Sequence, residues 1–282
     1  MVHITTVHWF DDRWVDIQLK YLSKNIKSPF KVYSFLNGLA NDHSSKYFYS
    51  SNEPIESHAI KLNLLADIAS LNAANDDDLL MFLDGDAFPI GDVLSLWDMK
   101  SQESPIIAVQ RRENNGDLQP HPCFCLTTIG FWKKIKGDWK HGYQWRDAQG
   151  KSVTDVGGNM LKILNNNKIS WHPLLRSNKR ELHPLWFGIY DGVVYHHGAA
   201  FRNPTSRADV ASLDDFSRFR FTALEKLPKI FKKIIPKRFQ PLCEIAKKNR
   251  SMSERVFENI QKNTEFYRYF QVFQEQDSFK GV

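Results

Sequence analysis

Five apolar residues in a row, Leu79-Leu80-Met81-Phe82-Leu83, run directly into Asp84-Gly85-Asp86. A short uninterrupted apolar run of this kind reads as a strand buried on both faces. Its C-terminal tip would present two carboxylates, and Gly85 would let the backbone turn tightly between them. Hard oxygen donors at an exposed strand end suit Mg2+ or Mn2+ holding a diphosphate. Carboxylates two residues apart in extended chain need not both meet the ion. Asp86 is therefore read as the principal metal ligand and Asp84 as its partner, at the metal or at a ribose hydroxyl. An ordinary surface Asp-Gly turn is the competing reading, but it does not account for the apolar strand before the loop or for Phe88 after it.

The elements that must carry such a loop alternate along the first two-thirds of the chain. Strands are expected at 4–9, 30–36, 79–83, 106–110, 124–128, 169–174 and 192–198. Helices are expected at 13–25, 57–73 with Ser57 as N-cap, 91–99, 130–135 and 155–166. This alternation implies a doubly wound, mostly parallel α/β sheet, in which ligands sit at the C-terminal ends of the strands. The character changes near residue 215. Short amphipathic helices broken at Pro228, Pro236 and Pro241 follow, with no further strands, so the chain is divided into a catalytic domain at 1–215 and a helical, basic extension at 216–282.

The segment LLMFLDGDAF resembles the Asp-x-Asp segment of glycosyltransferases with the GT-A fold, of the bacterial surface-polysaccharide type. The resemblance spans residues 1–210 in element order, with the acidic loop its one specific motif. It implies a nucleotide-sugar donor, usually UDP-linked, and a divalent metal, Mn2+ or Mg2+, on the diphosphate. It also implies a late histidine as third metal ligand. VVYHHGAAFR carries two, His196 and His197. Successive strand side chains face opposite ways, so only one easily faces the site; His197, beside Gly198, is the expected ligand and His196 the alternative. The same resemblance points to an acidic residue at a helix start on the acceptor side, where Asp155 of TDVGGNMLKIL would act as general base if the transfer inverts. Asp is equally a favoured helix N-cap. Thr5 or Thr6 would meet the base or ribose, Trp9 would stack on the base, and Lys61, Asn63 and Arg202 would touch the donor or neutralise phosphate. For each of these, packing or a solvated surface is the plainer reading.

Composition narrows the rest. The chain has 282 residues, 42% hydrophobic and 25% charged, so it can bury a real core. No apolar run approaches a membrane span, no basic-then-apolar leader opens the sequence, and three cysteines cannot build a disulfide framework. The expectation is a cytoplasmic protein. Residues 225–250 hold nine Lys/Arg against two Glu, a local net of +7 in a chain whose total is +6. A near-neutral body with one basic segment argues against nucleic acid, which needs the basic face on the folded domain. Cations alternate there with Leu227, Ile230, Phe231, Ile234, Ile235 and Phe239, a pattern that reads as an anionic membrane surface partner. The expected activity is sugar transfer to a glycan or lipid-linked acceptor at the inner face of the cell membrane. The alternatives are a nucleotidyltransferase, disfavoured because VHWFDDRW lacks a glycine-rich loop, and a non-catalytic membrane-peripheral binding protein.

Overall fold

The computed structural model describes residues 1–198 and 205–272. Among the described residues, twelve strands form three sheets. The main sheet uses β1 (Val2–Trp9), β2 (Phe30–Asn37), β3 (Tyr49–Ser51), β4 (Leu79–Asp84), β6 (Ile107–Val109), β7 (His121–Thr128) and β10 (His172–Leu174), in the order β10-β6-β7-β4-β1-β2-β3. β7 is antiparallel to both neighbours, and every other pairing is parallel. A small antiparallel sheet joins β5 (Ala87–Pro89), β11 (Gly188–Tyr190) and β12 (Val194–His196), in the order β11-β12-β5, while β8 (Trp145–Arg146) and β9 (Ser152–Val153) make a ribbon. The mostly parallel α/β sheet expected from the alternation is present.

The apolar run of β4 is explained by its place between β1 and β7 with helices on both faces. Met81 and Leu83 face one core, under α1 (Arg13–Asn25) and α3 (Val93–Lys100), against Val15, Leu22 and Trp97. Leu80 and Phe82 face the other, under α2 (His58–Asn72), α4 (Ile129–Ile135) and α5 (Gly158–Asn166), against Leu62, Leu65 and Met160. A strand with two buried faces has no position for a polar side chain until it leaves the sheet, and here it leaves at Asp84.

The C-terminal part of the described chain holds helices α6 (Arg207–Ala211), α7 (Asp215–Glu225), α8 (Lys229–Ile234), α9 (Cys243–Lys262) and α10 (Tyr267–Gln271), and a third core joins the small sheet to α9 and α10. Phe88 and Tyr195 from the small sheet, with Trp14 and Tyr21 from α1, pack against Phe257 and Ile260 of α9 and against Phe266 and Phe270. The Tyr21 hydroxyl donates to the Thr264 carbonyl at 2.9 Å. The change of character near residue 215 thus separates sheets from helices but does not separate cores. What lacks a core is the stretch between: α7 buries none of its residues, and Phe216, Phe219, Ile230 and Ile234 are each about two-thirds exposed or more. Pro228 and Pro236 stand at the N-terminal ends of α8 and of a 3-10 turn (Lys237–Phe239), as the prolines in the sequence suggested. Among the described residues no helix is long and apolar enough to cross a membrane.

Candidate active site

The tip of β4 lies in a cleft of about 270 Å3 at the C-terminal edge of the parallel strands. Gly85 is required there. A Cβ at this position would stand 2.6 Å from the Val7 carbonyl oxygen and 2.8 Å from His8 Nδ1, so only glycine lets the acidic turn lie against the end of β1. From α1, the Gln18 side-chain amide donates to the carbonyls of Asp84 and Ala87, both at 2.8 Å, and pins the two sides of the turn. β5 then pairs with β12, placing His196 opposite Ala87. That pairing delivers an imidazole from more than a hundred residues away to the two carboxylates.

His196 Nε2 lies 3.4 Å from Asp84 Oδ2 and 3.4 Å from Asp86 Oδ1. His58, in the first turn of α2, meets Asp84 Oδ1 at 2.9 Å. Burial would raise the Asp84 carboxyl, but hydrogen bonds with His196 and His58 outweigh it and hold the group well below the usual carboxylate range. Burial would raise Asp86 as well, but the charge and the hydrogen bond of His196 together hold it below the usual carboxylate value. Burial opposes protonation of His196, yet the neighbouring Cys123 sulfur and both carboxylates push it well above the ordinary histidine value. One atom each from Asp84, Asp86 and His196 lies within 4.8 Å of the others. Two carboxylate oxygens and one imidazole nitrogen fit Mn2+ or Mg2+. A cation here would take over the charge balance that the imidazolium now provides.

Cationic groups without full partners stand on the walls of the same cleft. Lys61 is 1% exposed, and its Nζ lies 3.5 Å from the centroid of the Trp9 ring. Burial lowers it to about 8. Arg111, 5% exposed, reaches Asp155 Oδ2 at 3.2 Å and Asp117 Oδ2 at 3.8 Å, and among the described residues its Nε has no partner. His121, beside it, is held well below its ordinary value, first by burial and then by the Arg111 charge, and so is a neutral hydrogen-bonding group. A carboxylate–imidazole cluster facing buried cations can hold a divalent ion and an anion together.

The residues singled out in the sequence divide. Asp84, Asp86, His196, Trp9, Lys61 and Asp155 line the cleft. His197 does not. It follows His196 on the strand and so faces the other way. Its Nδ1 meets the Tyr195 hydroxyl at 2.9 Å, its Nε2 meets Ser253 Oγ on α9 at 2.7 Å, and its ring packs on Trp14. Burial lowers it to about 3. Proximity to Gly198 was the wrong criterion, because the alternation counted from β5 decides which histidine faces the acids. Asp155 is not a helix N-cap either. α5 begins at Gly158, and Gly157, with φ +92° and no room for a Cβ beside the Pro120 carbonyl, occupies the cap. Asn63 is turned away, bonded to Asp138 at 2.7 Å and accepting from the Trp139 amide. Thr5 bonds the Met81 carbonyl, and Thr6 is fully buried and off the cleft. Arg202 lies outside the described residues. His58, Gln18, Trp14, Arg111 and His121 were missed. Arg111 follows a predicted strand at its C-terminal end, the position where ligand groups concentrate, and could have been found by that rule.

No protein-family model matches the chain, and no curated protein does. Solved glycosyltransferase structures match it. Among them, the glycosyltransferase GlyE of Streptococcus pneumoniae TIGR4 shares 14% identity at a TM-score of 0.34, over 48% of this chain and 36% of that one. S. aureus TarS shares 10% identity at a TM-score of 0.42, over 91% of this chain and 54% of that one. The mannosyltransferase PcManGT of Pyrobaculum calidifontis, solved with GDP-Man and Mn2+, shares 10% at a TM-score of 0.40, over 95% of this chain and 82% of that one. The chain thus spans about a third of the pneumococcal enzyme and about half of TarS.

Proposed function

We propose that this chain is a metal-dependent glycosyltransferase that moves a sugar from a nucleotide-sugar, with UDP the favoured carrier, to a hydroxyl of a glycan or lipid-linked acceptor in cell-surface polysaccharide synthesis. The observation that carries the reading is the convergence of Asp84, Asp86 and His196 in one cleft with Lys61, Arg111 and Asp155. A nucleoside diphosphate needs a divalent ion and fixed cations for its charge, an aromatic face for its base and a carboxylate near the acceptor, and the cleft supplies each type.

Asp84, Asp86 and His196 would hold Mn2+ or Mg2+, which when bound supplies Lewis-acid stabilisation of the leaving diphosphate. Lys61 supplies a second positive charge in a dry wall, where it acts at low dielectric. Trp9 offers a ring face to the base. Asp155, held at 3.2 Å by Arg111 on one side and half-exposed to the cleft on the other, would take the proton of the acceptor hydroxyl as its oxygen bonds the anomeric carbon and the carbon–phosphate-oxygen bond breaks. Arg111 fixes the Asp155 carboxylate for that role. The exposed apolar and basic stretch at 215–241 supports work as a peripheral protein on the inner face of the cell membrane.

The test is donor turnover by the purified protein against UDP-, GDP- and CMP-sugars, with Mn2+ and with EDTA, followed by Asp155→Asn. The reading expects turnover of one donor class only with metal, and a far larger fall in kcat than in donor affinity for Asp155→Asn. Turnover that is indifferent to EDTA would sink it.

A further inference from the structure

The stretch from α7 to the start of α9 is built unlike the rest of the molecule. It carries large apolar side chains but contributes almost nothing to the three cores. Phe216, Phe219, Ile230 and Ile234 are 67–74% exposed, with Phe231 and Phe239 about half exposed. Between α7, α8 and α9 lies a second cleft, of about 630 Å3. Its floor is apolar, made by half-buried Phe221 and Ile235 and buried Leu242. Its walls carry Lys232, Lys237, Lys247 and Arg250 against Glu225 and Glu254, so cations are in excess. Lys232 is paired with Glu225 at 3.3 Å and Lys247 with Glu244 at 2.8 Å. Lys237 and Arg250 line the same cleft and have no carboxylate within ion-pair distance among the described residues. α9 begins here with no side-chain cap, so its first amide groups add positive potential.

We propose that this cleft is a binding site for the phosphate headgroup of an anionic membrane lipid, with the first carbons of its chains on the apolar floor. The occupant follows from charge and shape. An apolar floor alone would suit any hydrophobic segment, and a cationic rim alone any anion. The two together, beside exposed Phe231 and Ile234, suit an amphiphile that carries its phosphate where its hydrocarbon begins. Exposed aromatic and branched side chains enter the headgroup boundary while lysines and arginines remain among the phosphates. The cleft then adds a preference for one headgroup to what would otherwise be charge attraction. A bare phosphate monoester, small and doubly charged, reaches Lys237 and Arg250 better than a headgroup esterified with serine. This inference deepens the peripheral-membrane reading and does not depend on sugar transfer.

The experiment is flotation of the full-length protein with phosphatidylcholine vesicles carrying phosphatidic acid, or phosphatidylserine at matched surface charge. Wild type is expected to prefer phosphatidic acid. Lys237→Gln with Arg250→Gln should weaken partitioning about thirtyfold, as two cations near an anionic surface would, and should abolish the preference. Lys233→Gln with Arg238→Gln removes the same charge from exposed positions off the cleft and should keep the preference. Circular dichroism checks that both pairs fold. If the two pairs behave alike, or no headgroup preference exists, membrane binding stands and the cleft site is overturned. If wild type ignores all vesicles, or binds only free inorganic phosphate, the cleft site and the peripheral reading both fall. Phe231→Ser with Ile234→Ser should reduce partitioning to every anionic vesicle, and no change there would refute the surface contact on its own.

Discussion

Lys61→Met should stabilise the protein while crippling its cleft. The lysine is 1% exposed, and with no carboxylate within ion-pair distance among the described residues its ammonium rests on the Trp9 face at 3.5 Å. Burial lowers it from 10.5 to about 8. That drop sets a ceiling of about 3.4 kcal/mol on what it costs the fold to keep the group charged at neutral pH. Water at the mouth of the cleft screens part of this, and the ring returns part through cation–π attraction, leaving a net cost of about 1–2 kcal/mol. Met fills the same volume without the charge, so urea denaturation at pH 7 should show a gain of about that size. The sign with pH follows from proton binding. Between about 8 and 10.5 the unfolded chain holds more protons at this position than the folded one, so wild-type stability gains on the variant across that window and the gap closes by pH 10.5. Below about 8 the gap is constant. Calorimetry should meanwhile show UDP binding weakened by about 1.5–3 kcal/mol, the worth of a charge-assisted hydrogen bond. A variant that is less stable at every pH, or that binds UDP as wild type does, would refute the reasoning: Lys61 would then be a packed structural residue and not a cation held ready for a phosphate.

Two further outcomes follow from the packing. His197→Ala should destabilise the protein by about 2–4 kcal/mol, since it leaves a cavity among Trp14, Trp186 and Phe187 and strands the Ser253 and Tyr195 hydroxyls; Mn2+ affinity should be unchanged, and a loss of metal with normal stability would restore His197 as a ligand. Truncation after residue 242 removes Val256, Phe257, Ile260, Phe266 and Phe270, all under 9% exposed. At about 1.5–3 kcal/mol per side chain this approaches the whole stability of a domain, so the truncated chain should be insoluble or bind hydrophobic dye, and a soluble product with a cooperative melt would show that the helices are dispensable.

Much of the fold was legible because periodicity reports burial. The five apolar residues of β4 read as a strand with two covered faces, and the structure supplies both covers. The acidic loop was legible for the same reason, as the first polar residues at a strand end. The histidine was not. Choosing between His196 and His197 needs the register of β12 on β5, a pairing between segments more than a hundred residues apart that leaves no local mark. Asp155 lines the cleft, but not from the helix start that the sequence suggested, since the helix begins three residues later at Gly158. The C-terminal helices showed their charge and their prolines in sequence, but α9 hides its docking face: Val256, Phe257 and Ile260 look like any amphipathic stripe until Trp14, Tyr21 and Phe88 are seen opposite them. Gln18 and His58 were invisible because a polar residue on a helix carries no sign that a loop distant in sequence will meet it.

Manganese binding decides whether Asp84, Asp86 and His196 form a metal site. Titration of the purified chain with Mn2+, followed by electron paramagnetic resonance with and without UDP, requires no knowledge of the sugar or the acceptor. One site per chain is expected, tightened by UDP, weakened at least about tenfold in both Asp86→Ala and His196→Gln, as loss of a coordinating side chain would do, and unaffected in His197→Gln. Binding that survives Asp86→Ala and His196→Gln, or that disappears only with His197→Gln, would contradict it.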